Sequence, residues 1–196
     1  MVRSSKGVDW SKHLTPADRA CIGGTIDPGG WYPMETFERL GLGILAEVAR
    51  GQLDGVRMWG RFQVHTVIDA YPDLVVAGDP YQSMMRFRVF SRSFFDFDAI
   101  DVHTVEEGRA EIAIGYRMSP AAEETACHQT LGFFEGLTQR AGAADIAARF
   151  TARSWEGAPR SWSRNIGMPC WSRGRPSRSA SSRPSTSAWT TRSPPR

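Results

Sequence analysis

Cysteine is scarce in this chain. The 196 residues contain three, Cys21, Cys127 and Cys170, all far apart. They form no CxxC pair and no zinc-type cluster, and their odd number argues against a disulfide framework. A reducing compartment is the simpler setting, which makes the expected location cytoplasmic. No window approaches 18 consecutive apolar residues, so no membrane span is expected. The opening MVRSSKGVDWSKHLTPADRA has no apolar run of the kind a signal peptide needs. P-loop, Rossmann glycine, HExxH and GxSxG patterns are all missing. A non-enzymatic role is therefore the expectation, and a cofactor- or metal-dependent enzyme is the alternative. No particular cofactor is indicated.

Acid is missing from one region only. The last 38 residues, 159–196, hold eight arginines, ten serines and six prolines but no Asp or Glu. Of 24 basic and 21 acidic residues in the chain, 16 and 21 fall before that point, leaving the body at −5. An acidic body does not read as a nucleic-acid surface, so nucleic acid could be met only through the tail. With few apolar residues and no sustained period, the tail cannot offset its ordering entropy and is expected to be disordered. One reading makes it a basic arm for nucleic acid or an acidic partner. The other makes it a GC-rich gene read out of frame, since it replaces the final strand that the pattern calls for. The expected layout is a flexible segment 1–19, an α+β domain 20–158 and the tail.

What is present supports that domain. ACIGGTID, 20–27, reads as a short strand. Met34, Phe37, Leu40, Ile44, Leu45 and Val48 recur at helical spacing after Pro33, with Gly51 as the stop. A second helix starts at Asp54, runs along Val56, Trp59, Phe62, Gln63, Thr66, Val67 and Ala70, and ends at Tyr71-Pro72. Asp79-Pro80 opens a third, leading to an aromatic cluster, Phe90, Phe94, Phe95 and Phe97, expected to be core. IDVHTV and AEIAIGY form a hairpin around EEGR. Ser119-Pro120 starts a helix striped by Cys127, Leu131, Phe134 and Leu137. ADIAARFTARSW alternates as a strand with one wet face. The fold class expected is helices packed on a short antiparallel sheet.

The ordered series WYPMETFERL, DAYPDL, GDPYQSMMRF, FFDFDAIDVH, YRMSP and LGFFEGLTQRAGA resembles an uncharacterised family of about 200-residue proteins found mainly in myxobacteria. That family is distantly similar to small-molecule sensor domains of the vinyl-reductase and haem-NO-binding kind. The resemblance covers about residues 20–157. It implies a non-catalytic domain that holds a ligand between helices and a curved antiparallel sheet. Haem-binding relatives carry Tyr-x-Ser-x-Arg. Tyr81-Gln82-Ser83-Met84-Met85-Arg86 is one residue longer, so haem binding is not carried over.

Four histidines occur, His13, His65, His103 and His128. No spacing makes His65, His103, Cys127 and His128 a metal set, and adjacent Cys127 and His128 lie about 100° apart on a helix, poorly placed for a nucleophile pair. The sharper expectation is a cavity for a small hydrophobic ligand. Trp59, Phe90, Cys127 and Phe134 are its candidate lining, and Arg61, Arg86 and His128 its polar rim. A protein partner or a homodimer is the other expected mode, because an incomplete sheet would expose an edge.

Overall fold

The structure, a computed structural model, describes residues 7–27, 30–156 and 165–173, the last as backbone only. Among the described residues five α-helices pack on one antiparallel sheet of four strands, so the expected fold class holds.

The first helix stands where a strand was expected. Thr15 begins a complete capping box, its hydroxyl accepting from Asp18 N while Asp18 accepts from the Thr15 backbone N–H. Pro16 fills the first helical position. This nucleus carries α1, Pro16–Gly23, through ACIG in place of extended chain. A 3-10 turn, Trp10–Lys12, precedes it, so residues 10–19 are built into the fold rather than loose.

Helix α2, Met34–Gly43, leads into a π-helical stretch, Ile44–Val48, and stops at Arg50 and Gly51, both in the left-handed region. Helix α3, Leu53–Ala70, has Gln52 as its N-cap and Asp54 in its first turn, and it ends before Pro72 as expected. Its inner stripe is Val56, Gly60 and Val64, whereas Phe62 is 64 % exposed. The expected stripe is rotated because Gly60, not a large side chain, marks the contact face. In α4, Pro80–Phe90, Asp79 caps Gln82 N as its sequence position suggests.

Helix α5, Pro120–Arg140, is the axis of the molecule. The stripe Cys127, Leu131, Phe134 and Leu137 is buried, but so are Thr125, Gln129, Thr130, Glu135 and Thr138. A helix buried on nearly all sides must satisfy its polar groups internally. The Thr125, Thr130 and Thr138 hydroxyls therefore donate back to carbonyls one turn earlier. Phe87, Phe134, Met84, Ile112 and Leu131 are nearly inaccessible, each worth about 2 kcal/mol of burial.

The sheet order is β1-β2-β4-β3, all neighbours antiparallel. Strands β1, Ile100–Glu106, and β2, Arg109–Ile114, form the expected hairpin, with Val102 and Ile112 fully buried. Strand β3, Ala143–Phe150, follows α5. Its partner is β4, Asn165–Arg173, which lies between β2 and β3. Those nine residues fall inside the segment expected to stay out of the fold, so the domain boundary at 158 does not hold for them. Pro169, which has no N–H to give, sits where the pairing with β3 slips by one residue and beyond the last pair with β2. The remaining tail positions, 159–164 and 174–196, with Trp162 and Trp189, lie outside the described residues.

Candidate functional site

Two clefts open on the described surface, and both are aromatic. The first has a volume of about 600 Å³ and lies between the C-terminal end of α1, the start of α2 and the 94–97 turn after α4. Six rings line it: Trp31, Tyr32, Phe37, Phe94, Phe95 and Phe97. Met34, Leu40, Ile22 and Cys21 fill the spaces between them.

Its walls are tied by one buried carboxylate. Asp18 of α1, 2 % exposed, accepts from Thr36 Oγ1 at 2.6 Å and from Arg39 Nε and Nη2 at 2.7 and 2.9 Å, both on α2. The Arg39 guanidinium, with the Thr36 hydroxyl, holds the Asp18 carboxyl far below the ordinary carboxylate range. The loop that carries Trp31 is closed by Tyr32, whose hydroxyl accepts from Asp27 N at 2.8 Å and donates to Asp27 O at 3.2 Å. Behind the cleft, Phe37 and Phe95 both rest on Tyr116, with ring centroids 6.4 and 5.6 Å away. The Tyr116 hydroxyl is buried against Thr130, and burial pushes its pKa up. Above this anchored floor, Trp31 is 68 % and Tyr32 43 % exposed. The anchored base and wet rim together make a receptacle with room left in it.

The second cleft, about 900 Å³ and shallower, is lined by Tyr71, Leu74, Met85, Arg86, Val89 and Phe90. Here two of the expected site residues meet, Arg86 and Phe90. The Arg86 guanidinium donates to the Asp73 carbonyl, and Phe90 packs edge-on to Tyr71 at 4.3 Å. Ser83 of the same Tyr-to-Arg string accepts from Val76 N and donates to Asp79 O. Those polar groups fasten α4 to the loop before it.

The other expected residues do not converge. Phe134 and Cys127 are filled core, Phe134 stacked edge-on to Phe87 at 4.9 Å. Arg61 is committed to Glu135, which lies 5 % exposed on α5. Arg57 binds the same carboxylate through two nitrogens and also donates to Ala148 O at 3.0 Å. Burial would raise the Glu135 pKa, but the two guanidiniums together outweigh it and hold it low. Trp59 is half-buried on α3 and lines neither cleft. His128 is half-buried against Phe150 at 5.0 Å, with no hydrogen-bond partner for Nδ1 among the described residues, and burial lowers its pKa.

The remaining histidines are dispersed. His13 pairs with Glu47 at 2.7 Å, His103 lies 3.2 Å from Asp101, and His65 is exposed on α3. Among the described residues, no three His, Cys, Asp or Glu side chains gather as metal ligands. Among the described residues, no helix is long and apolar enough to cross a membrane.

Of the aromatic cluster expected to be core, Phe90, Phe95 and Phe97 do pack against the core, while Phe94, Phe95 and Phe97 also line the cleft; Trp31 and Tyr32 are not among the residues the sequence points to. The signal was present in WYP, two aromatic residues on a loop beside a glycine turn, where no helical period buries them.

No protein-family model and no curated protein matches this chain. A solved structure does. The fold is similar to that of a mutant H-NOX domain from Shewanella oneidensis, solved by NMR in the Fe(II)CO ligation state. The TM-score is 0.54 at 12 % identity, covering 82 % of this chain and 84 % of that one. At that identity the likeness is one of fold.

Proposed function

We propose that this chain is a non-enzymatic, small-ligand-sensing domain, and that its ligand occupies the 600 Å³ cleft between α1, α2 and the 94–97 turn. The carrying observation is the cleft itself. Its volume lies in the range of small-molecule sites, and six rings line it while their supports are fixed by buried bonds. The resemblance to vinyl-reductase-type and haem-NO-binding sensor families supports a binding role at this level, as does the fold shared with an H-NOX domain.

Iron chemistry is not part of this reading. Among the described residues no histidine lines either cleft, and the Ser83 and Arg86 side chains are engaged with the backbone before α4. The ligand of this chain is instead a compact molecule with an apolar body held among the rings.

A neutral fluorescent probe, prodan, tests the site. It is expected to bind the full chain once and to lose at least about tenfold in affinity in Trp31→Ala, with Val89→Ser in the second cleft unchanged. Binding that is insensitive to Trp31→Ala but lost in Val89→Ser would move the site to the second cleft and overturn the reading. A protein-binding role would show instead as failure of the probe to bind, with self-association or partner capture lost in Trp31→Ala.

A further inference from the structure

The charge of the first cleft is one-sided. Among the described residues its lining includes two carboxylates, Glu35 and Asp96, both exposed, and no Lys, Arg or His. Two guanidiniums flank it, each already engaged. Arg39 is held on Asp18, and Arg117 lies over the Phe97 ring, 4.4 Å from its centroid. That last contact shows a ring of this cluster already accepting a cation on its face.

We infer that the cleft selects an organic cation, a quaternary or hindered ammonium carried on an apolar group. This inference rests on the proposed ligand site and goes further by naming the ligand's chemistry. An aromatic ring presents negative charge on its face, so several rings around one cavity attract an ammonium whose methyl groups also prefer to leave water. Quaternary ammonium suits such a cage because it cannot donate hydrogen bonds and so leaves none unmade on entering. Glu35 and Asp96 add long-range attraction at the mouth without touching the floor. An anion would face these carboxylates with no counter-charge among the described lining residues. A neutral ligand would fit the rings but gain nothing from the rim.

One isosteric pair isolates the charge. Phenyltrimethylammonium and tert-butylbenzene differ only by nitrogen for carbon at the branch point. Each is titrated against the full chain, read by displacement of prodan and by Trp fluorescence. The cation is expected to bind about fivefold or more tighter than the hydrocarbon. Glu35→Gln with Asp96→Asn is expected to cut the cation's affinity several-fold and leave tert-butylbenzene unchanged. Raising salt should do the same in the wild type, since exposed charges are screened within about 10 Å at 0.1 M. Equal or tighter binding of tert-butylbenzene, with Trp31→Ala still abolishing it, overturns the cation preference while the ligand site stands. Failure of prodan and both isosteres to bind at Trp31 removes the site and the preference together.

Discussion

The contact between α3 and α5 and the cleft beside α2 use one buried carboxylate–arginine device to opposite ends. At the first, glycine removes space. A Cβ on Gly60 would lie 1.9 Å from the Gln129 carbonyl oxygen, and one on Gly132 would lie 1.8 Å from that of Arg57. The helix backbones touch, and the two arginines that flank the contact close on Glu135. At the cleft, bulky rings are held apart. Phe37 and Phe95 stand on Tyr116, Asp18 fixes α1 to α2, and the gap between them stays open. A buried carboxylate with arginine serves both regions. In one it locks a filled interface, and in the other it braces the walls of an empty one. Tightness in this molecule is therefore local, and stability and binding should separate under mutation.

The largest separation is expected at Gly132. Its replacement by Ala should cost more than about 3 kcal/mol, or prevent folding, because backbone atoms cannot yield. Urea unfolding measures this, and a loss under about 1 kcal/mol would mean the helices can move apart. Next comes Glu135→Gln, expected to cost about 2 kcal/mol by leaving Arg57 and Arg61 without their counter-charge.

Acid should act on both regions together. The Glu135 and Asp18 carboxyls are held below their ordinary values of 4.5 and 3.8. Their contribution is complete above those values and is lost as pH falls through the lower folded ones. The urea midpoint should drop steadily below about pH 4.5, and Glu135→Gln should flatten that slope. His128 sets a smaller effect at higher pH. Its folded pKa lies below the ordinary 6.5, so the unfolded chain binds its proton first and stability declines as pH falls from 6.5. His128→Gln should remove that segment of the profile. The smallest effect on stability belongs to Trp31→Ala. A change within about 0.5 kcal/mol is expected for so exposed a ring, even as probe binding is lost. A large stability loss there would erase the contrast between the two regions.

Much of the architecture was legible because one-dimensional signals matched local physics. Asp79-Pro80, Tyr71-Pro72, Ser119-Pro120 and the hairpin around EEGR each mark a boundary by backbone chemistry alone. The failures lie where a neighbour decides. Thr15-Pro16-Ala17-Asp18 carries a full capping signature, and the helix it starts runs on into ACIG, the segment expected as a short strand. The α3 stripe was misplaced because hydrophobic spacing weights Phe62 and ignores Gly60, and only the approach of α5 reveals the glycine face. Strand β4 was obscured by the composition around it, a tail rich in Arg, Ser and Pro with few apolar residues and no sustained period, and the pairing slips at Pro169. For the site, periodicity groups residues on one helix but not the faces of different helices. Trp59, Arg61, Cys127, His128 and Phe134 thus seemed to converge, while Trp31 and Tyr32, on a loop, had no period to announce them.

The sheet order carries a consequence for how the protein is made. Strand β3 gains its partner only when residues 165–173 arrive, and the same segment joins it to the hairpin. During synthesis the hairpin and α5 emerge first and wait with two unsatisfied edges. A ribosome must travel past the basic, proline-containing stretch before those edges close. The nascent chain is therefore most prone to mispairing in that late interval, and a pause or chaperone acting there would decide its yield.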